Sequence, residues 1–108
     1  MNAPAASIES LPGSELIGAG VRDLKAGRIT PAACLVAIAE PRLRRAGLMV
    51  SVDPRVILDP EHRLYQLLRV EGGDSYSRYN ALIRRLISFE QALEHRATRS
   101  KAMAHLSE

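Results

Sequence analysis

Between Ser75 and Ala97, the residues Tyr79, Leu82, Leu86, Phe89 and Leu93 recur at alternating steps of three and four. This is the spacing of one face of an α-helix. At about 100° per residue the apolar sector of this helix is about 160° wide. It takes in Tyr76, Ile83, Ile87 and Ala97 as well. Such a sector is broader than the narrow seam of a coiled coil. It predicts a helix that packs inside its own bundle and also presents a flank to a partner. Tyr79, Leu82, Leu86, Phe89, Glu90 and Leu93 are the expected interface residues.

Composition points the same way. Only 4% of the 108 residues are aromatic and none is Trp. The core must therefore come from Leu, Ile, Val and Ala, which suits helices better than sheets, where β-branched and aromatic residues lead. The length is that of one domain. The expected fold is all-α, a small bundle of about four helices ending in the long amphipathic one. Residues 1–13 are expected to be a flexible arm, 14–97 the helical domain, and 98–108 a mildly basic tail.

Punctuation along the chain marks the other helices. Ser14 and Glu15 suit a helix start, Ile17, Val21 and Leu24 share a face, and Gly27 stands where a helix would stop. Gly18 and Gly20 inside this helix either loosen it or allow a close crossing. Thr30-Pro31 is a capping hydroxyl followed by Pro at the first helical position. The segment Ala32–Ala39 that follows is apolar on every side, so it must be buried all round. So short a chain offers few helices to surround it, a second reason to expect an oligomer. Pro41 is expected to end or kink this helix, with Arg42–Ala46 as a short continuation and Gly47 as a stop. Residues 48–52 read as a loop, since one isolated strand has nothing to pair with. Asp53-Pro54 opens a turn at most. Asp59-Pro60 opens a helix through about Val70, with Leu64, Leu67 and Leu68 on one face. Gly72-Gly73 breaks it, and Asp74 or Ser75 caps the last helix.

Glu90 falls inside the apolar sector, between Leu86 and Leu93. A carboxylate there costs free energy unless it is paired or reaches the edge. Two readings follow: an ion pair with an Arg of another helix or subunit, or a general acid or base with a perturbed pKa.

The basic residues give a third class of function to weigh. The net charge is +3, and 13 of the 15 basic residues are Arg. Residues 1–54 carry six basic and five acidic side chains, and residues 55–108 nine and seven. Charge is thus not concentrated on one part of the chain, as it is in most nucleic-acid binders. The densest cluster is Arg42, Arg44 and Arg45, and with Arg84 and Arg85 it makes up the candidate nucleic-acid contact.

Other motifs are sparse. His62, His95 and His105 lack the helical i, i+4 spacing of a zinc pair, so no metal is expected, and no cofactor. Gly72-Gly73-Asp74-Ser75 matches neither phosphate-binding fingerprint and is expected to be a turn. Cys34, the single cysteine, is expected to be a buried thiol with no disulfide. Tyr76 and Tyr79 are expected to pack with their hydroxyls at the edge. The longest uncharged apolar run, Ala32–Ala39, is far short of the ~20 residues of a membrane helix. The N-terminus lacks a basic region followed by an apolar one, and a cytoplasmic location is expected. The run Leu24-Lys25-Ala26-Gly27-Arg28-Ile29-Thr30 resembles the leading helix-turn of amidase-signature enzymes. It covers seven residues and consists mostly of helix punctuation. The Ser-rich catalytic region of that family is absent, so no activity is carried over.

The function expected from the sequence is therefore a non-catalytic helical protein–protein interaction module that self-associates, a dimer being favoured. A small nucleic-acid-binding regulator is the alternative, and an enzyme using Glu90 as acid or base is the third reading.

Overall fold

The computed structural model describes residues 10–48, 50, 53 and 56–106, with no side-chain description beyond residue 99. These residues form four helices: α1 (Ser14–Lys25), α2 (Pro31–Arg45), α3 (Pro60–Glu71) and α4 (Ser75–Leu106). None is long and apolar enough to cross a membrane. Most of the expected arm, residues 1–9, lies outside the described residues, as do Met49, Ser51 and Val52 of the expected loop.

The all-apolar helix is the centre of the bundle. α2 packs against α1, α3 and α4, while α3 and α4 also pack against each other. Ala33, Cys34, Leu35, Val36, Ala39 and Leu43 have no exposed surface. The three neighbours bury the centre of this helix, while Ala32, Ala37 and Ile38 keep part of their surface exposed. α1 supplies Ile17 and Leu24 to the core, α3 supplies Leu64 and Leu68, and α4 supplies Leu86, Phe89 and Leu93. Ile57, in the connection before α3, joins them, and Leu48 and Val50 pack against the cluster from outside any helix or strand.

Local chemistry sets where the helices begin and end. The Thr30 hydroxyl accepts the Ala33 N–H at 3.2 Å, capping α2, and donates to Asp23 at 2.6 Å. One side chain thus starts α2 and ties it to α1. That bond, followed by Arg28 at 3.0 Å, holds the Asp23 carboxyl below its ordinary range. After α1 the Gly27 N–H bonds the Leu24 carbonyl at 3.0 Å and the Arg28 N–H bonds that of Asp23 at 2.8 Å, which satisfies carbonyls the helix end leaves open. Asp74 caps α4, its carboxylate accepting the Ser77 N–H at 3.1 Å and the Ser77 hydroxyl at 2.8 Å.

Four details differ from the sequence expectations. First, of an end or a kink at Pro41 the end is excluded, and the expected continuation is present: α2 runs through Pro41 to Arg45 as one helix. A proline inside a helix costs about 3 kcal/mol. Here it stands on the exposed side, and the helical register beyond it buries Leu43 completely. Second, Gly13 rather than Ser14 is the N-cap of α1. Its φ of 81° favours glycine, and a Cβ there would stand 3.0 Å from the Arg85 carbonyl oxygen of α4. Leu11 packs on the core too, so the last residues of the expected arm belong to the bundle. Third, the Asp59 side chain makes no cap bond, since its φ is 48°. Its carbonyl takes the Arg63 N–H at 3.0 Å instead. Fourth, α4 continues past Ala97 to Leu106. Nothing in residues 98–106 breaks a helix, and most are good helix formers. At 1.5 Å per residue its 32 residues account for most of the 54 Å long axis of the molecule.

Gly20 explains how α1 and α2 come so close. A Cβ at this position would collide with the Ala32 carbonyl oxygen and the Val36 side chain, both on α2. At Gly18 the only neighbour is the tip of Arg22 at 3.6 Å. The two glycines therefore respond oppositely to alanine. Gly20→Ala is expected to lower the unfolding free energy by about 1–3 kcal/mol through overpacking, despite a helix-propensity gain of about 1 kcal/mol. Gly18→Ala is expected to raise it by up to about 1 kcal/mol. Denaturant melts of both variants at one protein concentration check this.

Candidate functional site

The wide sector of α4 is buried only along its centre. Leu86, Phe89 and Leu93 lie in the core, and Tyr79, Leu82 and Ile83 are partly covered. Tyr79 sets its ring edge-on to Tyr65 of α3, with centroids 5.8 Å apart. One flank stays open. Ile87 is 40% exposed, and Tyr76, which the sequence placed in the core, is 68% exposed. Tyr76 stands in the first turn of α4, next to the end of α3, where no helix covers it.

This flank forms one wall of a groove of about 390 Å³. α4 contributes Tyr79, Ile83, Leu86 and Ile87, and α2 contributes Ile38 and Pro41. Arg42 and Arg45 of α2 and Glu61 of α3 stand around it, and Glu90 lies in its wall.

Glu90 is 5% exposed. Its Oε1 accepts a hydrogen bond from Nη1 of Arg42 at 3.2 Å. The partner is thus an Arg of another helix in the same chain, the pairing the sequence offered as one of two readings. Burial raises the Glu90 carboxyl above its ordinary value of 4.5, Arg42 opposes this, and Glu94 one turn on adds to it. Arg42 itself keeps 57% of its side chain exposed, so the pair is buried at one end and solvated at the other. An acid–base role would need a vacant space at the carboxylate. The groove offers space beside it, but the guanidinium occupies the oxygen that faces α2.

The other candidate residues are dispersed. Arg44 pairs with Glu40 at 3.5 Å on its own helix. Arg85 reaches Glu15 of α1. Arg84 is exposed on α4 and does not line the groove, whereas Arg45 does. Of the five Arg residues weighed for nucleic-acid contact, three are therefore engaged with carboxylates of this chain. Among the described residues no three His, Cys, Asp or Glu side chains gather as a metal site would require. His62 and His95 are exposed, and Cys34 is buried with its thiol pushed up by desolvation.

Five groove residues, Ile38, Pro41, Glu61, Ile83 and Ile87, were not among the expected site residues. Ile83 and Ile87 were visible on the wheel of α4 but not distinguished from the buried centre. Glu61 carried no signal, because only the packing of α3 brings it to this groove. Comparison with family models, with curated proteins and with solved structures finds no match.

The pair has a pH signature. Glu90 binds its proton more tightly in the folded than in the unfolded chain. Its contribution to stability is full below the ordinary value of 4.5 and is lost as pH rises through the raised folded value. Relative to wild type, Glu90→Gln is therefore expected to remove a fall in stability above pH 4.5 and to leave stability at neutral pH within about 1 kcal/mol or higher. Arg42→Ala leaves the carboxylate without its partner and is expected to cost about 1–3 kcal/mol at neutral pH. It is also expected to steepen the pH dependence. Denaturant melts of the three proteins between pH 4 and 8 separate these outcomes.

Proposed function

We propose that this protein is a non-catalytic helical interaction module that associates with a second copy of itself through the groove between α2 and α4. The observation that carries this reading is the open flank of α4. Ile83, Ile87 and Tyr79 face Ile38 and Pro41 across a concave apolar surface that the chain's own helices leave uncovered. A helical face of this kind gains by covering, since apolar area removed from water is worth roughly 25 cal/mol per Å².

From the sequence alone a larger apolar surface was expected to be shared. There the surplus apolar surface was the whole of α2 together with the seam of α4. Most of α2 and the centre of that seam are buried inside one chain, and the part of them that remains open is the flank of α4 with Ile38 and Pro41 of α2. The Arg42–Glu90 pair fits a wall of such a contact, because one end is already neutralised within the chain and needs nothing from the partner.

Sedimentation equilibrium is expected to give a dimer at micromolar concentrations. Ile87→Glu is expected to weaken association about tenfold or more with the helical circular dichroism unchanged. A clean monomer across that range would refute self-association.

A further inference from the structure

The groove is lined by two charges, Arg45 and Glu61, that form no ion pair among the described residues. Arg45 comes from the last turn of α2 and Glu61 from the first turn of α3. Arg42 and Glu90, between them, already satisfy each other. Arg44 is held by Glu40. Arg45 and Glu61 are thus left with opposite signs around one apolar surface. A surface that meets a copy of itself must be self-complementary, so that residue i meets j of the copy and j meets i. Opposite rim charges meet this condition and give two equivalent bridges about one two-fold axis. A partner of single charge, such as a nucleic acid, would be attracted by Arg45 and repelled by Glu61.

Resting on the self-association proposed above, we infer that Arg45 of each copy pairs with Glu61 of the other, and that this exchange fixes the register and the choice of partner. Rim pairs of this kind add little affinity each but discriminate strongly, because reversal replaces attraction with like-charge contact.

Charge reversal tests the pairing with sedimentation equilibrium on the full chain. Arg45→Glu alone makes both contacts acidic, and Glu61→Arg alone makes both basic. Each is expected to weaken homodimerisation at least about tenfold. Mixed in equal amounts, the two variants restore both bridges and are expected to form a heterodimer of wild-type affinity. Arg22→Glu carries the same change in net charge on α1, which contributes no side chain to the groove, and is expected to dimerise as wild type does. Circular dichroism of every variant reports folding. A monomeric wild type overturns the pairing together with the self-association on which it rests. A dimeric wild type whose two single reversals still dimerise normally, or whose mixture fails to recover, overturns the pairing alone.

Discussion

The burial of α2 is the constraint on which the rest of the structure depends. A helix with no polar face can exist in water only if something encloses it. Here α1, α3 and α4 each give up an apolar face to do so. The enclosure is tight on the α1 side because Gly20 lets the two backbones approach to a distance that no side chain would permit. It is anchored at its start by Thr30, whose hydroxyl serves the first turn of α2 and Asp23 of α1 together. Much of the remaining architecture follows from serving α2. α3 and α4 turn about the two glycines at 72 and 73, and the turn is clamped by Arg78 of α4 on Glu71 and the Gly72 carbonyl.

The consequence for function lies in what this enclosure uses up. The centre of the α4 sector is committed to α2 and α3, and only its flank is left. Glu90, the buried charged residue on that face, is paired within the chain with Arg42. What α2 and α4 leave open is a groove that carries apolar side chains together with charges of both signs. Among the residues of α4 whose side chains are described, Leu93 is the last that lies in the core.

Much of this fold is legible in the sequence because helix ends are written locally. Thr30-Pro31, Gly27, Gly47, Gly72-Gly73 and Asp74 each act through bonds to residues within five positions. The apolar spacing of α4 likewise finds Leu86, Phe89 and Leu93. What sequence could not give depends on neighbours distant in the chain. Gly18 and Gly20 look alike in sequence, and only the position of Ala32 and Val36 separates them. Pro41 signals a helix end or a kink, and the burial of Leu43 goes with the continuation of α2 beyond it. Glu90 was recognisable as an anomaly, but its partner, 48 residues away, was one of many Arg residues. The groove was the least legible part, since Glu61 reaches it only through the packing of α3.

The enclosure of α2 by its own chain has a natural reporter in Cys34, which has no exposed surface and a thiol raised by burial. Its labelling by a thiol reagent under native conditions, in dilute monomeric protein, gives the free energy of the opening that exposes it. If α2 is the enclosed centre of the bundle, that value matches the global unfolding free energy from denaturant melts to within about 1 kcal/mol. Labelling orders of magnitude faster than global unfolding allows would show that α2 is exposed in the single chain, and would contradict the account.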